Sequence, residues 1–486
     1  MTSSETESTP DGAVPVDPGP VDPGADDPSM ILQAGFVHHD AGRLTDAVGF
    51  YRRALALAPD FPGLRNRLGA TLILLEQDRE EALALLDAAT VAEPNDPNPW
   101  INLTSQRLKN LDLVGALAAG ARAVELAPTS AMAAGNYSLA LKDAGRWEEA
   151  DALAARAAAI DPRDLKYQFG KGILDLVQGR YDAGWPAFEV RWDGSGELSG
   201  KRPVLPGPTW RGEPLAGKTL LVWGEQGMGD VLQFCRYVPL LADYVHARGG
   251  ALVWNTFPQM GGLLFRTLGQ RPDICVQGGL PSLPPFDYEF SMLSIPHLLS
   301  TREDAVPGPA PYLRADPRAA ARWKNWFGRD PRLKVGLAWT GSATHQRNPF
   351  RAVGLARMAA AFGGVREAAF YSLQQGAGAD IAAARAQGFD VVDHTAEFST
   401  FDDTAAFVDG LDVVITVCTS IAHLSGALGK PTWILLDRNP HWVWGLERTD
   451  SPWYPAATLY RQTRFADWSG PLKAVTRDLR GLARGR

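Results

Sequence analysis

The residues of this chain best suited to chemistry on a phosphorylated ligand lie in short loops that follow apolar runs. The first loop is Gly224-Glu-Gln-Gly-Met-Gly-Asp230, with three glycines for close backbone approach and two carboxylates, Glu225 and Asp230. It follows the apolar run Thr219–Trp223 and leads into an apolar helical pattern, Val231 to Leu241. The first N–H groups of such a helix have no partner within it. Asp230, at or near the N-cap, has two readings that spacing leaves open: a helix cap or a general base.

A second loop, Cys418-Thr-Ser420, joins the strand pattern Val413–Val417 to the helical pattern Ile421–Leu428. Hydroxyls and free N–H groups at a helix start suit a phosphate or diphosphate. His423, one turn into that helix, either faces the same anion or packs against the next strand, while Cys418 reads as a buried thiol. A third stretch, Trp339-Thr-Gly-Ser-Ala-Thr-His345-Gln-Arg347-Asn-Pro-Phe-Arg351, carries two arginines on a polar loop after a strand. It is either a clamp for a nucleotide diphosphate or a solvated surface loop. Ser372-Leu-Gln374-Gln375-Gly376 ends another strand in polar residues, and Asn439 to Pro455 is dense in aromatics. Gly212 to Thr219 spells a P-loop but precedes a strand instead of following one, so ATP binding is not expected there. Without a D-x-D, HExxH or paired-cysteine pattern, no metal site is expected.

The elements that must position these loops follow from periodicity. Candidate strands Thr219–Trp223, Ala251–Trp254, Ile274–Val276, Lys334–Trp339, Ala369–Leu373, Val391–Asp393, Val413–Val417 and Thr432–Leu436 alternate with helical stretches. That alternation predicts parallel sheets with helices on both faces. Upstream, Pro59, Pro94, Pro128 and Pro162 fall 35, 34 and 34 residues apart, each ending an Ala/Leu-rich run. Gly42, Gly145 and Gly179 mark turns in the same frame, and small residues such as Ala47, Ala54, Ala150 and Ala157 recur where helices pack closely. A 34-residue helix–turn–helix period is the mark of a tetratricopeptide solenoid. The domain reading is an acidic, Pro/Gly-rich disordered tail over 1–28, repeats over 29–195 and a linker over 196–217. Two α/β lobes follow, over 218–316 and 317–486.

Composition narrows the class. The 486 residues carry a formal net charge of -7, and the first 30 hold seven acids without a single Lys or Arg, so the rest is formally neutral. A protein built to coat nucleic acid is therefore not expected. Three unspaced cysteines give no disulfide scaffold, and no 18-residue apolar window predicts a membrane span. With no apolar signal segment, the expectation is a cytoplasmic protein.

Together these stretches resemble bacterial proteins that fuse tetratricopeptide repeats to a heptosyltransferase-like (family 9-like) glycosyltransferase domain of the GT-B fold. The resemblance spans most of 30–470. Its carriers are Gly179-Arg-Tyr-Asp-Ala-Gly-Trp through Arg191, Glu225-Gln-Gly-Met-Gly-Asp-Val through Tyr237, Ser372-Leu-Gln, Thr419-Ser-Ile-Ala-His through Pro431, and Asp450-Ser-Pro-Trp-Tyr-Pro455. It implies an α solenoid followed by an α/β GT-B enzyme with two Rossmann-like lobes. A nucleotide-sugar is the donor substrate, held by the C-terminal lobe, with no further cofactor. Asp230 is implied as the catalytic base, and Glu225, Gln226 and Gln233 as acceptor-side candidates. Arg347, Arg351, Gln374, Thr419, Ser420 and His423 are implied to bind the donor phosphate or nucleotide. The implied partner is a protein acceptor docked on the concave face of the repeats and modified on Ser/Thr hydroxyls, as in transferases that glycosylate flagellin. A cell-surface glycan or lipid-linked acceptor, and a non-catalytic scaffold with a degenerate GT-B domain, are the alternatives. The sequence departs from the family pattern at Cys418, where relatives carry an acid, and at Val443, where they carry an arginine.

Overall fold

The computed structural model describes Asp27–Gly485 apart from Gln226 and Pro309, and divides into two compact units, Met1–Pro128 and Thr129–Arg486. Most of the acidic segment thus lies outside the described residues. Its end does not: Asp27 caps the first helix, accepting the Ser29 N–H at 2.9 Å, and Pro28 is that helix's first residue.

In the first unit, helices α1 (Pro28–Asp40), α2 (Leu44–Leu57), α3 (Leu64–Leu74), α4 (Arg79–Ala92), α5 (Pro97–Lys109) and α6 (Leu113–Leu126) form three antiparallel pairs. Pro59, Pro94 and Pro128 each stand two residues beyond a helix end, where a missing N–H and a fixed φ stop continuation. Ala47, Ala82 and Ala116, with Ala54, Ala89 and Ala123, are buried at the same frame positions in successive pairs. The turn within each pair needs a left-handed residue. Gly42 supplies it at φ 74°, but the equivalent positions hold Glu76 at φ 54° and Leu111 at φ 62°.

The second unit opens with two further pairs, α7 (Ala131–Ala144) with α8 (Trp147–Ile160), and α9 (Leu165–Val177) with α10 (Tyr181–Phe188). Two parallel sheets follow. Strands β1 (Thr219–Trp223), β2 (Ala251–Thr256), β3 (Ile274–Gln277) and β4 (Tyr288–Ser291) lie in the order β3-β2-β1-β4. Strands β5 (Leu333–Ala338), β6 (Ala368–Ser372), β7 (Val391–Val392), β8 (Val413–Val417), β9 (Thr432–Leu436) and β10 (Ala457–Arg461) lie in the order β10-β9-β8-β5-β6-β7. Counted from its own first strand, the second sheet reads 3-2-1-4-5-6, the doubly wound order whose connections reverse between β5 and β8. Strands β5, β6 and β8 are buried at every residue, as parallel strands covered on both faces must be.

All eight expected strands form, with ends shifted by no more than two residues. Strands β4 and β10 were not expected. In β4 the pattern is broken by Glu289, which is nonetheless buried because the Trp223 indole donates to it at 2.6 Å and Arg202 at 2.8 Å. Lys218 of the P-loop spelling pairs with Asp287 at 2.9 Å, and β1 begins at Thr219, so the stretch is a strand entry.

Leu111 is 41% exposed and left-handed, so Leu111→Gly should remove backbone strain without opening a core cavity. Urea unfolding is expected to show stabilisation of about 0.5–1 kcal/mol; a loss instead would mean that the Leu111 side chain packs more than its exposure suggests.

Candidate functional site

Loops at the carboxyl ends of seven strands line one cavity of about 530 Å³. Gly227 to Asp230 follow β1, and Gln259 follows β2. Thr340 to Ser342, His345 and Arg351 follow β5. Gln374, Thr400, Thr419 with Ser420, and His441 follow β6, β7, β8 and β9. The carboxyl edge is where parallel α/β sheets bind ligands, and this volume suits a small organic molecule.

On the β1 side, Asp230 is the third residue of the short helix Met228–Phe234, with Gly227 at the N-cap. It is therefore not the cap that one reading of the sequence suggested. Its carboxyl instead folds back over Gly227, where a Cβ would stand 2.3 Å from Asp230 Oδ2; Gly227 at φ 101° leaves that space open. Burial, reinforced by the negative charge of Glu225, raises the Asp230 pKa to about 7, against the pull of Arg191 and Arg351. A carboxylate poised there can exchange a proton at neutral pH.

Glu225 itself does not line the cavity. It is buried and takes a two-point grip from Arg191, Nε to Oε2 at 2.9 Å and Nη2 to Oε1 at 2.5 Å. Arg191 Nη2 also donates to the hydroxyls of Ser291 and Ser294. Gln233, on the helix Met228–Phe234 itself, is fully buried and away from the cavity lining, its amide atoms without a hydrogen-bond partner among the described residues. Gln226 lies outside the described residues.

The facing wall is cationic and hydroxyl-rich. The Arg351 guanidinium lies over the backbone of Gly341, where a Cβ would meet Nη2 at 2.4 Å, and its buried Nε has no partner among the described residues. Thr419 caps the helix Ser420–Ala427, accepting the Ile421 N–H at 3.3 Å, so that helix start opens toward the cavity. Gln374 Oε1 accepts the Thr340 N–H at 3.3 Å and ties the β5 and β6 loops together. The two helix starts are in contact: a Cβ on Gly229 would stand 3.1 Å from His423 Cδ2 and 3.5 Å from Ser420 Cα.

His423 packs against aromatic side chains and not against the next strand. It reaches the cavity, and it packs with Nδ1 2.9 Å from Tyr454 Oη and its ring stacked 5.4 Å from Trp444. Burial drives its pKa well below the usual imidazole range, so it offers an anion a neutral ring edge and no charge. Cys418 is buried as expected, its sulfur accepting the Trp444 indole N–H at 3.1 Å, and burial raises its pKa.

Arg347 is not where a phosphate clamp would need it. Its guanidinium is taken by Asp143 at 2.8 Å and Asp437 at 2.7 Å, outside the cavity lining. Only Arg351 of the pair reaches the cavity. Sequence reasoning missed Gln259, Ser399 and Thr400, while His441 falls in the aromatic segment Asn439 to Pro455 that it singled out. Gln259 and Ser399 are isolated polar residues, whereas Thr400 with Asp403 forms a capping box that starts the helix Phe401–Asp409, a pattern visible in the sequence.

Residues 38–106 match the tetratricopeptide repeat family. The helical N-terminal region is thus built of these repeats, units that typically bind other proteins. Protein FlbA of Caulobacter vibrioides is 28% identical over 463 residues, spanning 89% of this chain and 75% of that protein. Among solved structures, MamA from Desulfovibrio magneticus RS-1 is similar at 20% identity and a TM-score of 0.30, over 36% of this chain and 96% of that one. A thermophilic tetratricopeptide protein from Thermus thermophilus is similar at 19% identity and a TM-score of 0.31, over 35% of this chain and 92% of that one. No helix among the described residues is long and apolar enough to cross a membrane.

Arg191→Met removes one partner of a buried ion pair and strands Glu225, so unfolding of the second unit in urea should show a loss of about 3–5 kcal/mol. A loss under about 1 kcal/mol would show that water relieves Glu225. Asp230 has the opposite sign. Because folding raises its pKa, its contribution is favourable below the unfolded value of 3.8 and is lost as pH rises through about 7. Asp230→Asn should therefore melt above the wild type at about pH 8, with the gap closing toward about pH 4. A gap that does not change with pH would exclude the raised pKa.

Proposed function

We propose that this protein is a glycosyltransferase of the GT-B type that moves a sugar from a nucleotide-sugar donor to Ser or Thr hydroxyls of a protein acceptor. The observation that carries the reading is the division of labour across the cavity. A carboxyl with a pKa of about 7 comes from one parallel sheet, and an unpartnered arginine nitrogen and a hydroxyl-capped helix start come from the other. The second sheet supports this assignment, since Arg351 follows β5 and Thr419 follows β8, the two strands between which its connections reverse. Nucleotides bind at such a switch point.

In this mechanism the donor diphosphate lies against Arg351 and the N–H groups at Ser420, with the sugar directed toward Asp230. The Asp230 carboxylate takes the proton of the acceptor hydroxyl. The hydroxyl oxygen bonds to the anomeric carbon while the bond from that carbon to the diphosphate oxygen breaks, and its electron pair leaves with the nucleoside diphosphate. Base catalysis contributes ~10²–10⁴-fold. Charge stabilisation of the departing phosphate is usually the larger effect. Neutral His423 shapes this site without adding charge. The repeats deliver the acceptor, for which flagellin is the example that the family resemblance supplies, and the reaction is set in the cytoplasm.

Transfer from UDP-, GDP- and ADP-sugars to candidate acceptor proteins, followed by intact mass, tests this. The wild type should add sugar mass with at least one donor, with kcat/KM rising with pH through about 7 as Asp230 ionises. Turnover should be insensitive to EDTA, because the chain supplies its own cation. Asp230→Asn should lose at least ~10²-fold in kcat while keeping its donor affinity. Full activity in that variant would remove Asp230 from the mechanism, and wild-type inertness with all three donor classes would sink the enzymatic reading.

A further inference from the structure

Arg347 is held by Asp143, in the last turn of α7, and by Asp437, one residue beyond β9. Both carboxylates are buried, Asp143 at 1% exposure. An aspartate in the last turn of a helix opposes the helix dipole, so Asp143 is not explained by the stability of α7. Without Arg347, two buried like charges would face each other. The same helix end receives a second arginine, Arg438, whose Nη2 donates to the Ala144 carbonyl at 3.2 Å.

What Arg347 fixes in turn is Arg351. Arg347 is the N-cap of the turn Asn348–Arg351, and the Arg351 N–H donates to the Arg347 carbonyl at 3.3 Å. Asn348 pins the rest of the loop, accepting the Gly341 N–H at 2.8 Å and donating to Thr340 Oγ1 at 3.1 Å. The Arg351 guanidinium then rests on Gly341. One continuous set of contacts runs from α7 through Arg347 to Arg351, the arginine that lines the donor half of the cavity among the described residues.

We infer that Asp143, Arg347 and Asp437 are positioning residues that set Arg351 for the donor diphosphate, making α7 part of the transferase. The inference rests on the donor reading above. Through the triad, the helical pair α7–α8 contributes to donor binding as well as to acceptor docking. Removing the triad's charge balance lets the loop between Thr340 and Arg351 relax and weakens the hold on the leaving group.

The test is calorimetric titration of the full chain with UDP, GDP and ADP, alongside thermal unfolding and donor kinetics. Asp143→Asn and Arg347→Met should bind the preferred nucleotide about tenfold more weakly, with donor KM raised and kcat lowered. Arg347→Lys should recover part of the affinity, because one nitrogen, Nη2, reaches both carboxylates while the second contact to Asp143, from Nη1 at 3.4 Å, has no lysine counterpart. If Asp143→Asn does not fold, Asp437→Asn reads the same contact from the other side. Unchanged nucleotide affinity in folded variants, or no rescue by lysine, overturns the positioning role while leaving the donor reading intact. A wild type that binds none of the three nucleotides overturns both.

Discussion

Arg191 and Glu225 form an ion pair with each side chain 1% exposed, and the geometry of the candidate site descends from it. Two charges so far from water are tolerated only when every polar atom finds a partner, and here Ser291, Ser294 and Glu189 complete the set around the guanidinium. The pair fastens the start of the glycine loop to the helical segment before the sheets. It also leaves the Glu225 charge beside Asp230: burial is the main cause of the raised Asp230 pKa, Glu225 adds to it, and Arg191 offsets part of the rise.

The opposite half of the site depends on a different kind of adhesion. Trp442, in the turn after β9, packs edge-on against Trp185 of α10 at 5.2 Å and against Trp453 at 5.4 Å. The Trp453 indole donates to the Tyr181 hydroxyl at 3.1 Å. Arg236, just beyond the Asp230 helix, lies over Tyr312 at 4.1 Å and Tyr454 at 5.0 Å, and Tyr454 meets His423. Aromatic area and cation–π attraction are effective here because water is excluded. The helices from Thr129 onward are thus packed into the same unit as both sheets. The dense aromatics between Asn439 and Pro455 serve mainly as this seam.

Periodicity made the scaffold legible. Proline phase located the helix ends, because a missing N–H stops a helix in any surroundings. Apolar runs located eight of the ten strands among the described residues, since strands buried on both faces must be continuously apolar. The exceptions have a common reason: β4 carries a buried glutamate and β10 ends in an arginine, and partners distant in sequence make those charges acceptable. For the site, the loops were legible but the roles within them were not. Glu225 and Asp230 are both acids five residues apart, yet one is consumed by Arg191 and the other faces the cavity. Arg347 and Arg351 divide in the same way.

What the sequence by itself determined is local: where helices stop, which runs are strands, and which loops join a strand to a helix start. Backbone stereochemistry and apolar burial act over a few residues, so their marks survive in one dimension. The tertiary structure decided which charges are spent on one another and which are left to meet a ligand. Pairing of charges depends on through-space distance, and Asp143 comes within 2.8 Å of Arg347 across 204 positions of chain. No spacing rule spans such a separation.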